Sequence, residues 1–328
     1  MKISAQTREA AQAWAAANAD LFALLRGVTV RFRGTVGQRG TFTASGVVVR
    51  VTGRGADIVT AKHNLFLAAG DDEPDPVGFY TTNVRAQLVD ATGRETASAE
   101  IAGVHIPDGA VQDAGYDVAV MRVTDAGFTG AVRRLTTPDA PGYRYLPPAA
   151  GWVIRPLSQD AARTVLTNGN PYTGVVNQSA RDFTFVQLGY GVYQAELYGF
   201  GFRVMPAASL AGYAFVDPTH DGYTRVFTFP ASETETGARG DSGGPVFAVG
   251  PVRPAPGQPV PGQPAPGQAP GPGGAQPAPP QLTTRQVGLV AVHSGANYFA
   301  NVADDIPDGP TVNNALTLTA LEHVTMPD

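Results

Sequence analysis

The sequence predicts an all-β fold of short antiparallel strands, arranged as a sandwich or as barrels, behind one N-terminal helix. Three observations carry this reading. From Val28 onward, short alternating apolar runs are broken repeatedly by Gly, Asn, Asp and Pro, which is how strands joined by tight turns are written. Only residues 6–26 place apolar side chains at helical spacing. The chain has 328 residues, 43% hydrophobic and 16% charged, enough for two barrels sharing an interface or a catalytic unit with additions.

Within 6–26, Trp14, Leu21, Phe22 and Leu25 share one helical face, and Gly27 stands where a C-cap belongs. The strand-like runs that follow are 28–32, 45–51, 57–61, 117–123, 183–188, 225–229, 245–249 and 287–292. Residues 250–281 are different material, with Pro-Ala-Pro-Gly-Gln and Pro-Val-Pro-Gly-Gln units in tandem. Proline removes backbone donors and glycine loosens the chain, so the segment reads as a disordered or polyproline-like insert in a hairpin. A spacer is the favoured role, and a docking strip for a partner protein is the alternative.

Composition excludes several function classes. A formal net charge of −5 without any Lys/Arg cluster argues against nucleic acid. No run approaches the roughly 18 apolar residues of a membrane span. The first 26 residues contain Glu9, Asn18 and Asp20 and do not form a signal peptide, so the chain as written reads as cytoplasmic, or secreted if a leader has been removed. The absence of cysteine rules out disulfides, zinc thiolates and thiol catalysis. Two acidic clusters, Asp71-Asp72-Glu73 with Asp75 and Asp304-Asp305 with Asp308, carry oxygen ligands but lack the spacing of a calcium loop. They read as solvated loops, and neither a metal nor a cofactor is expected.

The strongest chemical signal is Gly240-Asp241-Ser242-Gly243-Gly244-Pro245, followed by an apolar run. A serine hydroxyl becomes a nucleophile only beside a base, with donors placed for the developing oxyanion. Glycines around it permit a turn that aims N–H groups at the reacting oxygen, and Gly240 and Ser242 are the natural pair. The motif resembles the nucleophile segment of trypsin-like serine proteases. Ile58-Val59-Thr60-Ala61-Lys62-His63-Asn64 is similar to that family's strand ending in histidine, and Tyr116-Asp117-Val118-Ala119-Val120-Met121 to its aspartate-led buried strand. All three occur in the family's order.

The resemblance implies His63 as general base, Asp117 as its orienter and Ser242 as nucleophile. His105, His220 and His323 lie in poorer contexts, and Asp113 is the rival orienter. It further implies two six-stranded antiparallel barrels, one over 28–135 carrying His63 and Asp117, the other over 136–328 carrying Ser242 and interrupted by the insert. Residues 1–27 precede them as a helical extension, and 320–324 would form a short closing helix. Absence of cysteine, together with an Arg-dominated basic set, points to a bacterial member. The implied activity is endopeptidase cleavage of protein or peptide substrates. A silent, protease-like peptide-binding module is the alternative.

Where trypsin itself carries a specificity aspartate, this chain has Thr236. Val292-His293-Ser294-Gly295 resembles the corresponding segment of glutamyl endopeptidases. That likeness implies a preference for Glu or Asp before the scissile bond, met by His293 in protonated form and by Arg239. Ser294 and Gly295 would pair with extended substrate backbone. No activation sequence is recognisable, so Asp241 is expected to meet an internal Arg or backbone donors. The alternative is that residues 1–26 are a pro-segment whose removal triggers activity.

Overall fold

The computed structural model describes residues 4–36, 41–65, 81–90, 92–106, 118–145, 151–155, 183–193, 197–198, 201–206, 212–215, 224–229, 240–254, 283–295 and 314–319. The N-terminal segment forms two helices rather than the expected one, α1 (Ala5–Ala17) and α2 (Ala19–Gly27). Asn18 leaves helical geometry at φ −130°, and its Nδ2 donates back to the Trp14 carbonyl at 2.8 Å, ending α1. Ser4 caps the start of α1 by accepting from the Thr7 N–H. Gly27 is the last helical residue and Val28 the cap, not Gly27 as the sequence suggested. A Cβ at Gly27 would lie 2.7 Å from Leu135 Cδ1, so a larger residue would push that side chain aside.

Seven strands make the first sheet: β1 (Thr29–Val36), β2 (Thr41–Thr52), β3 (Gly55–Thr60), β4 (Thr81–Val89), β5 (Glu95–Glu100), β6 (Gly103–His105) and β7 (Ala119–Val123). Their spatial order is β5-β4-β1-β2-β3-β7-β6, all antiparallel. The two end strands are consecutive in sequence. Between them the Ile101 N–H donates to Val84 of β4 and the Ala102 N–H to Arg122 of β7. The segment over 95–105 therefore pairs with both edges of the sheet and curls it toward a barrel.

The second sheet contains β8 (Thr184–Gly189), β11 (Gly201–Pro206), β12 (Gly212–Phe215), β13 (Thr224–Phe229), β14 (Pro245–Pro254), β15 (Thr283–Gly295) and β16 (Asn314–Thr319). A small hairpin of β9 (Val192–Tyr193) and β10 (Leu197–Tyr198) stands apart. The order β11-β8-β14-β15-β16-β13-β12 again puts sequence neighbours, β11 and β12, at its two ends. With each end pair counted as one strand, both units read 1-2-3-6-5-4 around the sheet. The two halves of the chain follow one plan.

Each of the eight apolar runs read from the sequence overlaps a strand, whereas β4, β5, β6, β9–β12 and β16 were not anticipated. Strand β5 is written Glu-Thr-Ala-Ser-Ala-Glu and buries only Ala99, so it carries almost no hydrophobic signal. A third helix, α3 (Ala126–Leu135), was also missed. Asp125 caps it, its Oδ1 accepting from the Phe128 N–H at 2.7 Å, and Phe128, Thr129 and Val132 are buried. Strand β14 extends to Pro254, into the segment read as insert, with Val252 opposite Arg285 and Pro254 opposite Thr283. The register shifts between Val249 and Val252, which takes the donor-less Pro251 out of the ladder. Residues 255–282 and the expected helix at 320–324 lie outside the described residues.

The first barrel is filled by Phe32, Val47, Ile58 and Met121, and the N-terminal helices extend this core instead of standing off it. Leu21, Leu24 and Leu25 are buried in the same cluster. Phe22 stacks on Phe202 of β11 with centroids 4.5 Å apart, so α2 touches both units. The buried Asp57 is held between Arg50 at 2.7 Å and Arg122 at 2.9 Å. Among the described residues no helix is long and apolar enough to cross a membrane. This packing yields a prediction: Leu25→Ala should cost about 2–5 kcal/mol in chemical denaturation. A change below about 1 kcal/mol would mean that α2 is a detachable appendage.

Candidate active site

Strand β3 ends at Thr60, and after Ala61 the chain turns through a single 3-10 turn, Lys62–Asn64, which places His63 at the surface. Ser242 sits half-buried in the turn that leads into β14. Gly240 and Gly243 flank it at φ +95° and +80°, the left-handed region that disfavours side chains. A Cβ at Gly243 would also collide with the Ser45 carbonyl and Thr60 Oγ1. Glycine is required there on both counts.

Ser45 of β2 joins this turn to the first barrel. Its backbone N–H donates to the Ser242 carbonyl at 2.9 Å. Its hydroxyl donates to the Gly240 carbonyl at 2.7 Å and accepts from the Tyr190 N–H at 2.8 Å. Its own carbonyl accepts from Thr60 Oγ1 at 2.7 Å. Asn64, beside His63, donates from Nδ2 to the Ser242 carbonyl at 2.9 Å and to Thr60 Oγ1 at 3.0 Å. The turns bearing His63 and Ser242 are thus tied through one side chain.

On the other side the turn is stapled to β15. The Gly243 N–H donates to the His293 carbonyl at 2.6 Å, and the His293 N–H donates to Gly244 at 2.8 Å. The Gly244 N–H donates to the Asp241 carbonyl at 2.8 Å. In contrast, neither the Gly240 N–H nor the Ser242 N–H donates to any group among the described residues. Two adjacent amides are consumed by the fold, and the two suited to an oxyanion are left over.

Asp241 is buried, and its Oδ1 accepts from the Gly191 N–H at 2.8 Å, so a backbone donor meets it. Gly189 and Gly191 pack directly against this carboxylate, where a Cβ would overlap it. His293 is 2% exposed, and its Nδ1 lies 3.3 Å from Gln187 Nε2. Burial above all, aided by the charges of Arg203 and His63 and opposed by Asp241, pushes its pKa down to about 4. With no substrate bound, the ring is therefore neutral near pH 7. The ladder of β15 with β14 ends at Val292, so Ser294 and Gly295 have no strand on that side among the described residues.

Asp117, Asp113, Thr236 and Arg239 lie outside the described residues, as do both acidic clusters. The strand following Asp117, β7, starts with Ala119 directly opposite Thr60 at the His63 end of β3. Among the described residues no group of three or more metal-ligating side chains forms. Sequence reasoning missed Ser45, Asn64, Gln187 and Arg203. Asn64 left a signal, since it directly follows His63, and so did Ser45 and Gln187, polar residues within otherwise apolar strands.

No protein-family model and no curated protein matches the sequence. Solved structures do match. A thermostable serine protease, AL20, from an extremophilic microorganism is 13% identical, with 90% of this chain and 92% of that chain covered, at a TM-score of 0.46. The protease Anisep from Arthrobacter nicotinovorans is 14% identical over 89% of this chain and 90% of its own, at 0.40. A scabies mite inactivated protease paralogue is 13% identical over 92% and 94%, at 0.42. The all-β architecture of antiparallel strands expected from the sequence is the one that the strand order displays.

Two expectations follow for stability. Ser45→Ala leaves the Gly240 carbonyl and the Tyr190 N–H without their buried partner, at roughly 1–3 kcal/mol for each orphaned group. A denaturant midpoint equal to that of wild type would show that the junction does not depend on this hydroxyl. His293 carries a pKa of 6.5 when unfolded and about 4 when folded. Above pH 6.5 it adds no pH dependence. As pH falls from 6.5 towards 4 the unfolded chain binds the extra proton and stability drops by roughly 3 kcal/mol. His293→Gln should lose visibly less stability than wild type between pH 7 and pH 4.5, and parallel losses would contradict a buried neutral ring.

Proposed function

We propose that this protein is a serine endopeptidase acting through Ser242, His63 and Asp117. The observation that supports it most is the turn around Ser242, where Gly240 and Ser242 keep unclaimed N–H groups while Asn64 ties the turn to the one bearing His63. His63 takes the Oγ proton as Ser242 attacks the peptide carbonyl carbon. The carbonyl oxygen becomes an oxyanion received by the two amides. His63 then gives the proton to the leaving amine, and a water repeats the sequence on the acyl-enzyme. Asp117 orients His63 and stabilises its protonated form.

The side chain before the scissile bond lies, in this reading, among Thr236, Arg239, His293, Ser294 and Gly295. Thr236 offers no anion for Arg or Lys, and the proposed preference is Glu or Asp. Ser242→Ala should lower kcat by on the order of 10⁶ with unchanged far-UV circular dichroism. A fluorophosphonate probe should label wild type and not this variant. Retention of a tenth of wild-type activity by Ser242→Ala would remove Ser242 from the role. Absence of labelling in wild type would favour the silent peptide-binding module. A peptide-library profile dominated by Arg, Lys or aromatic residues would overturn the acidic preference alone.

A further inference from the structure

Gln187 and Arg203 are buried polar side chains that the chemistry above does not use. They are direct register partners across β8 and β11, and Arg203 Nε donates to Gln187 Oε1 at 2.6 Å. A guanidinium can only donate, so it must face the oxygen of the amide. The amide nitrogen is then directed at His293, with Nε2 3.3 Å from Nδ1. That nitrogen can also only donate, so Nδ1 must be the acceptor and the ring proton must sit on Nε2. A doubly protonated ring would set N–H against N–H. Nε2 itself makes no hydrogen bond among the described residues.

We propose that Arg203 and Gln187 are positioning residues that hold His293 as a neutral imidazole with its proton on Nε2, offering one fixed N–H to a hydrogen-bond acceptor on the substrate side chain before the scissile bond. This rests on the reading of His293 as a pocket residue. It removes the conflict between a buried, uncharged ring and acidic substrates, because a donor does not need to be a cation to receive a carboxylate. A charged acceptor makes the stronger bond, and the positive field of Arg203 at the ring adds to it. The substrate order is therefore Glu or Asp first, Gln or Asn next, and apolar or donor-only side chains last.

The test uses the full chain, labelled with ¹⁵N-histidine in the Ser242→Ala background to prevent self-cleavage. Long-range ¹H–¹⁵N spectra at pH 7, with the His293 signal identified by His293→Gln, should show an unprotonated Nδ1 and a protonated Nε2. A His293 signal with Nδ1–H, or an imidazolium, overturns the proposal without requiring any variant of the relay to fold. In the active protein, Gln187→Met and Arg203→Met should each lower the ratio of kcat/KM for a Glu peptide over its Ala counterpart by about tenfold. An unchanged ratio in folded variants overturns it as well. Failure of wild type to cleave any peptide would sink the peptidase reading instead, since the spectra report the tautomer independently of turnover.

Discussion

The site depends on one buried hydroxyl. Ser45 lies on β2 of the first barrel, yet all four of its hydrogen-bonding groups are engaged, three of them with residues of the second unit. A serine is suited to this position because its Oγ donates and accepts at once, so one atom satisfies a carbonyl of the Ser242 turn and an amide of β8's continuation. Were the junction apolar, the Gly240 carbonyl and Tyr190 amide would be buried without partners. The positions of the turns bearing His63 and Ser242 therefore follow from a contact between units, not from either unit alone.

Around this junction the fold resolves its backbone donors selectively. The Gly243 and Gly244 amides are satisfied within the protein, as is the carboxylate of Asp241 by Gly191. Left-handed geometry at Gly240 and Gly243 turns the intervening segment so that, among the described residues, the Gly240 and Ser242 amides have no acceptor. β14, β15 and β2 hold this turn in place through backbone and side-chain hydrogen bonds. The same economy of partners governs the interior of the second unit, where a cation, an amide and an imidazole form one chain of donors and acceptors with defined direction.

The N-terminal helices belong to this framework. Leu21, Leu24 and Leu25 complete the core of the first barrel, while Phe22 meets Phe202 of the second unit. A segment so placed touches both units from outside, and its removal would expose the core side chains that its leucines cover. The pro-segment alternative requires the opposite, a segment whose loss leaves the core intact. The packing supports a structural role for α2.

Much of this was legible in the residues themselves. Runs such as 45–51 and 287–292 were readable as strands because alternation and apolar content are local properties of the chain. The Gly240–Pro245 motif disclosed the turn around Ser242, since glycine readily takes the positive φ found at Gly240 and Gly243. Strand β5 was not readable because its place rests on pairing with the distant β4, whereas α3 and the break at Asn18 carry local capping contacts that the sequence reading passed over. The roles of Ser45, Asn64, Gln187 and Arg203 were equally hidden, because each acts on a partner 16 to 195 residues away in the chain. Sequence determined which side chains could do chemistry and where strands could form. Tertiary structure alone decided which amides stay unclaimed and whether His293 carries a charge, because burial and hydrogen-bond direction exist only once the two sheets have closed on each other.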